Sequence, residues 1–325
     1  MNRLLNFFDF KQVVNYKLEI LSGITVALAL IPEAVAFAII AGLSPLTGLY
    51  AAFMVGLVAS IFGGRPGMIS GATGAIAVII APLALMHGVE YVFAAVMLAG
   101  VFQIGAGLFK LEKLMRLVPQ PVIFGFVNGL AIIIGGSQIS QFKNASGEWL
   151  QGNDMYVFCG LVALAMAIIA ILPRLTKAIP GGLVAIVVVF ALAYGLEIDT
   201  KTVGDIASIK GGFPPFHLPN LPFTIETLQI VLPFSVIIAS VGLIESLLTL
   251  NIVDELTQTR GKGNRECVAQ GSANILSGMF SGMGGCAMIG QSLINVSSGA
   301  RARLSGIVAS VMLLIFIVFG SGLIE

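Results

Sequence analysis

Apolar residues along this chain run in long, nearly uncharged blocks, not in the alternating faces of a fold surrounded by water. No Asp, Glu, Lys or Arg stands between Glu33 and Arg65, between Arg116 and Lys143, or between Glu266 and Arg301. A block of about 18 or more such residues is long enough to cross a bilayer as a helix. By that rule the chain divides into about eleven spanning segments. They cover approximately residues 18–42, 45–62, 66–86, 91–109, 119–139, 154–172, 180–196, 228–253, 266–283, 286–300 and 304–324. The expected class is an all-α polytopic membrane protein.

Composition agrees. Hydrophobic residues make up 57% of the 325 positions and charged ones 10%, with a mean hydropathy of +1.01. A soluble domain carries about 25% charged residues, so the surface here is built for lipid. The formal net charge of +1 and the lack of a basic stripe with interleaved aromatics argue against a nucleic-acid partner. Cys159, Cys267 and Cys286 are far apart in apolar context and read as small buried side chains. His87 and His217 have no neighbouring Cys or His, so no metal or cofactor is expected. Residues 4–10 form only a short apolar run broken by Asn6 and Asp9, which suits a helix lying on the membrane surface and not a signal peptide.

Basic residues accumulate on the cytoplasmic side of membrane proteins. With the N-terminus inside, only Lys143, Lys201 and Lys210 of the 17 basic residues fall outside. The expected location is therefore a bacterial-type inner membrane, with a cytoplasmic N-terminus.

Two segments are poor continuous helices. The third holds Gly67, Gly71 and Gly74 behind Pro66, and the tenth holds Gly282, Gly284, Gly285 and Gly290. Glycine costs about 1 kcal/mol in a helix interior relative to Ala, so each cluster favours an extended stretch followed by a half-helix. Close helix packing through small residues is the blander alternative. The two neighbourhoods also resemble each other. IFGGRPGMISGATGA (61–75) lies without gaps on MFSGMGGCAMIGQSL (279–293), and IPEA (31–34) on LIES (243–246). Seven segments separate the mates, so the copies run oppositely through the membrane, the inverted-repeat arrangement of secondary transporters.

Half-helices starting near Gly74 and near Ser292 would point free N–H groups across a gap. Each helix start carries roughly +0.5 of an elementary charge, which binds an anion without any buried Lys or Arg. The candidate binding residues are Thr73, Gly74, Ala75, Gln291, Ser292 and Leu293. The side chains of Thr73, Gln291 and Ser292 could equally satisfy local backbone groups. Glu33 and Glu245 are the only carboxylates deep in apolar segments, and an intramembrane acid is functional by default. Thr249 and Gly242 share the Glu245 face of a helix. These two acids and Thr249 are the candidate coupling-ion residues, with H⁺ first and Na⁺ as the rival. The competing reading is that one or both acids are protonated and merely hydrogen-bonded between helices.

IPEAVAFAIIAGLSPLTGLYAAF (31–53) and GGCAMIGQSLINVSSGARARLSGI (284–307) resemble the first-to-second and tenth helix regions of the sulfate permease anion transporters. The resemblance implies fourteen segments in two inverted repeats of seven, of which about eleven are present. It implies a core domain from residues 1–112 and 226–325, and half of a gate domain from 113–225. It puts the substrate between helices three and ten, with Phe37 beside it, and ties Glu245 to coupling, with the Thr249 hydroxyl one turn on. It further implies sulfate, bicarbonate or a dicarboxylate as substrate and a homodimer as the assembly. Many relatives have Gln or an apolar residue at Glu33, and sodium-coupled bicarbonate relatives carry Asp where Glu245 stands. Family members continue through further gate helices into a cytoplasmic regulatory domain, so a longer parent protein is expected.

Three function classes follow: a coupled secondary anion transporter, an anion channel or uniporter, and an intramembrane enzyme. A nucleobase carrier is a further transport alternative. No H-E-x-x-H or G-x-S-x-G pattern supports an enzyme. The stretch KLEKLMRLVPQP (110–121) reads as a positive-inside loop, or as an amphipathic linker between core and gate. The Gly- and Pro-rich stretch 200–223 reads as an outer connection between the repeats, with GFPPFHLP packed over the outer mouth.

Overall fold

A computed structural model of the chain describes residues 15–115, 148–175, 181–196, 198, 212–222 and 224–319. It also describes positions 121, 125, 128–129, 131–132, 135–136 and 138–143. The surface helix expected at 4–10, most of the fifth segment and the basic residues Lys201 and Lys210 lie outside these residues.

The chain divides into two compact units, one from Met1–Pro119 with Ile209–Ile324 and one centred on Gln120–Ser208. In the first unit, α1 (Tyr16–Ile40) starts at Asn15, whose side chain accepts from the Leu18 N–H. This helix continues through Pro32 to Ile40, so the proline does not end it. Then come α2 (Pro45–Phe62), with proline at its first position, α3 (Gly74–His87), α4 (Val89–Leu108) and the single turn α5 (Glu112–Met115). In the second unit, α6 (Asn153–Leu175) packs on α7 (Gly181–Gly195). The first unit resumes with α8 (Ile225–Thr257), α9 (Gly263–Met279), α10 (Ile289–Ser297) and α11 (Leu304–Phe319).

Five described helices are long and apolar enough to cross a membrane: Tyr16–Ile40, Pro45–Phe62, Val89–Leu108, Asn153–Leu172 and Ile225–Thr257. The 14 residues of α3 reach only ~21 Å, short of the ~30 Å hydrocarbon thickness. The nine residues of α10 reach less. Each is preceded by an extended stretch, and these stretches meet as a two-stranded antiparallel ladder of β1 (Ser70–Gly71) and β2 (Cys286–Ala287). Extended backbone at membrane depth is tolerated where protein covers it, and all four strand residues are buried.

Small residues set the packing around this ladder. Helix α4 lies against α9 with Gly100 facing Gly271, where an added Cβ would come within 2.5 Å of the opposite carbonyl. On the other side α1 and α2 pack against α11.

Polar groups tie the ends down. The buried Glu19 carboxylate accepts from the N–H groups of Arg301 (2.6 Å), Ala302 (2.8 Å) and Ser305 (3.0 Å). It therefore satisfies the Ser305 donor that the start of α11 cannot pair within its own helix, together with two N–H groups of the turn that leads into it. Arg65, in the connection after α2, lies 3.1 Å from Asp254 near the end of α8. Burial lowers this guanidinium from its usual range, and the Asp254 carboxylate opposes the shift. At the opposite end of α9, the His217 N–H donates to the Met279 carbonyl at 2.7 Å. The His217 ring meets the Glu90 carboxylate at 2.8 Å, so part of the GFPPFHLP stretch rests on α4 and α9. Cys267 and Cys286 are buried as expected, but Cys159 is exposed on α6.

Candidate functional site

The centre of the first unit is the β1–β2 ladder with a helix leaving from each strand. Ser70 pairs with Ala287 and Gly71 with Cys286. Glycine is required where the strands approach, because a Cβ on Gly285 would stand 2.0 Å from the Gly71 carbonyl oxygen. Beyond the strands, Thr73 caps the start of α3 and Met288 that of α10, both in extended conformation and neither with a side-chain capping bond.

Hydrogen bonding within each helix begins with Ala77 N–H to the Thr73 carbonyl (3.0 Å) and Ser292 N–H to the Met288 carbonyl (3.1 Å). The N–H groups without a partner inside their helix are therefore those of Gly74, Ala75 and Ile76 and of Ile289, Gly290 and Gln291. Neither helix contains a Lys or Arg. The start of α3 is buried, whereas Gly290 is exposed and an added Cβ there would meet nothing within 4 Å.

This corrects one expectation. The second half-helix starts at Ile289, three residues before Ser292. Matching Ser70 and Gly71 to Cys286 and Ala287 makes the ladder map onto itself at an offset of 216, not the 218 of the sequence match. A gapless alignment of glycine-rich stretches carries too little side-chain information to set that register. Ser292 is fully buried and serves the strand, its hydroxyl accepting from Ile69 N–H at 2.9 Å. The N–H groups of Ser292 and Leu293 are inside the helix ladder and unavailable to a ligand.

The two acids come from different helices and meet different parts of the β2–α10 stretch. Glu33 on α1 accepts from the Gln291 side chain on α10. Glu245 on α8 accepts from the Cys286 thiol at 3.0 Å. That thiol also lies 3.4 Å from the Thr73 hydroxyl. Thr249 donates to the Glu245 carbonyl one turn back (2.8 Å) and lies 3.4 Å from the Ala287 carbonyl. Phe37 is half-buried on α1, one turn beyond Glu33. Thr73, Gln291, Glu245, Thr249 and Glu33 thus gather around one ladder, while Ser292 supports it from behind.

Sequence reasoning missed the residues that hold β2 in place. Asn274 on α9 is fully buried and donates to the Gly285 carbonyl (3.0 Å) while accepting from the Gly285 N–H (2.8 Å). Its side-chain amide imitates a neighbouring strand. Ser246 on α8 accepts from the Ala287 N–H at 3.1 Å. An Asn among small residues in an apolar segment carries no pattern that distinguishes it from a packing residue, so only the fold exposes this role.

Comparison with known proteins adds to the geometry. The sulfate permease family model matches residues 16–325. The chain belongs to this family. It is 49% identical over 314 residues to the putative sulfate transporter YbaR of Bacillus subtilis, covering 96% of this chain and 64% of that protein. It is 32% identical over 333 residues to the bicarbonate transporter BicA of a Picosynechococcus species, covering 95% and 58%. The chain thus spans less than two thirds of the curated relatives it matches. Its fold follows the transmembrane domain of a cyanobacterial bicarbonate transporter BicA, with a TM-score of 0.85 and 30% identity over 96% of this chain and 85% of that one. The structure of SLC26A9 matches in fold, with a TM-score of 0.77 and 17% identity over 93% of this chain and 53% of that one. The protein is a multi-pass membrane protein with the inverted-repeat transporter fold, and its family consists of transporters, not enzymes.

Proposed function

We propose that this sulfate permease family chain is the anion-translocating part of a secondary active transporter. The observation that carries the reading is the pair of half-helices leaving one antiparallel ladder, with six N–H groups unpaired within their own helices. Such donors, with the field of two helix starts, bind an anion without a buried cation. The ligand is a small oxyanion such as sulfate or bicarbonate, or a dicarboxylate, held by Thr73, Gly74 and Ala75 on one side and Gln291 with its preceding amides on the other.

Glu245 is the coupling acid and Glu33 a secondary partner. A carboxylate beside an incoming anion repels it and a neutral acid does not, so protonation and anion binding favour one another. The coupled species is H⁺. Sodium is the second reading, favoured by the Thr249 hydroxyl lying 2.8 Å from the Glu245 carbonyl and 3.4 Å from the Ala287 carbonyl, oxygens of the kind that ligate that ion. An exchanger on the same site needs neither ion.

Movement of the core helices 1–4 and 8–11 past the gate supplies alternating access, in a homodimer in a bacterial inner membrane with the N-terminus cytoplasmic. Counterflow by the full-length protein in liposomes tests the transport claim. A carrier accelerates uptake when unlabelled anion is inside, and a channel shows no such trans-stimulation.

A further inference from the structure

Gln103, on α4, is fully buried. Its Oε1 accepts from the Asn274 Nδ2 at 2.8 Å. Asn274 is held in one orientation by its two bonds to Gly285. Turning the Gln103 amide over would set two NH₂ groups against each other, so its Nε2 must face away from Asn274. There it has no hydrogen-bond partner among the described residues. A buried donor left unpaired is disfavoured and calls for an explanation.

The direction of that donor supplies one. Nε2 lies 2.9 Å from the point a Cβ on Gly242 would occupy, and the Cys286 Cβ lies 3.6 Å from the same point. Gly242 stands one turn before Glu245 on the same face of α8. The free N–H is therefore turned into the seam between α8 and β2 in which the Cys286 thiol holds Glu245. Among the described residues, the titratable groups bonded to each other on this seam are Glu245 from α8 and Cys286 from β2, while Gln103 of α4 and Asn274 of α9 bring amides to it.

We propose that Gln103 is a positioning residue for Glu245, its Nε2–H receiving the carboxylate when the Cys286 thiol releases it. This inference rests on the reading of Glu245 as the coupling acid. The acid then has two alternative partners, one on the anion-side strand β2 and one on α4. Because Asn274 ties Gln103 to Gly285, the residue before Cys286, both partners are set by the same stretch of backbone. A shift of β2 as the anion binds changes which of them Glu245 meets, which links occupancy of the gap to the state of the acid.

The test uses the full-length transporter in liposomes, comparing accumulation driven by a proton gradient with counterflow exchange. Gln103→Leu removes the donor and also the oxygen that accepts from Asn274, and should reduce driven accumulation about fivefold or more, by a larger factor than counterflow exchange. Gln103→Glu keeps an oxygen for Asn274 and replaces the N–H by a group that donates only when protonated. Its driven accumulation should survive in acidic medium and disappear in alkaline medium while counterflow exchange persists in both, whereas a carboxylate that merely disrupts packing when it ionises would lose accumulation and exchange together. If Gln103→Leu fails to fold, the Gln103→Glu profile decides alone. Gln103→Glu with the wild-type pH profile, or Gln103→Leu with unchanged accumulation, overturns the assignment. Glu245→Gln run alongside separates the two claims. Driven accumulation retained in that variant removes the coupling role of Glu245 itself, whereas its loss together with a silent Gln103→Leu removes only the role of Gln103.

Discussion

Gly71 and Cys286 face each other across an antiparallel ladder buried at the centre of the fold. That one pairing joins the two repeats, orients both half-helices, and sets the Cys286 thiol between Thr73 and Glu245.

The ladder needs glycine at Gly285. A Cβ there would overlap the Gly71 carbonyl oxygen at 2.0 Å, so Gly285→Ala should force the strands apart and destabilise the protein by about 1–3 kcal/mol, as overpacking does. Gly290→Ala should keep the melting temperature, since its Cβ meets nothing within 4 Å. The added methyl stands beside the exposed start of α10, so the apparent anion KM should rise. Thermal melting in detergent, paired with uptake kinetics, checks both. Equal melting temperatures for the two variants would contradict the ladder geometry.

Glu19 should matter for stability and not for coupling. It accepts three N–H groups around the start of α11, and Glu19→Ala leaves the buried Ser305 N–H and the part-buried N–H groups of Arg301 and Ala302 without that partner. A loss of about 1–3 kcal/mol is expected, read as a lower melting temperature. The ratio of gradient-driven uptake to exchange should not change in the protein that remains folded.

Orientation can be read with a membrane-impermeant thiol reagent. Exposed Cys159 is first replaced by Ser. Asn220→Cys, in the exposed connection before α8, should then label from outside intact cells. Lys262→Cys, exposed just before α9, should label only after the membrane is opened. The reverse pattern would invert the proposed topology.

Much of this architecture was legible in the sequence, for physical reasons. Lipid demands long uncharged blocks, so the spans announce themselves, and glycine clusters inside two of them marked the interrupted helices. Glu33 and Glu245 stood out because an acid is rare in such surroundings. Register was a different matter. The ladder is held by backbone bonds and by glycines selected for what they lack, so the sequence match ran two residues out and misplaced the start of α10. Asn274, Gln103 and Glu19 were hidden because their value lies in partners 11 to 286 residues away. Ser292 was legible as polar and deep, but its hydroxyl bonds the Ile69 backbone, one of the two readings its sequence context allowed.

Ser292→Ala follows from that contact. It removes the acceptor for a buried N–H and should lower stability by about 1–3 kcal/mol, with anion affinity changing less than in Gly290→Ala. A melting temperature equal to wild type, with uptake abolished, would instead put Ser292 in the anion site.

Coupling through Glu245 is the central claim, and one measurement tests it most directly. The full-length protein is reconstituted in liposomes, and labelled anion uptake is followed with a proton gradient and a sodium gradient imposed separately. An inward proton gradient alone should drive accumulation above the equilibrium level, and Glu245→Gln, fixed in a neutral form, should lose that accumulation while still binding anion. Glu33→Gln should lose less. Uptake that follows only the sodium gradient, with Glu245→Gln still responsive to pH, would contradict the account.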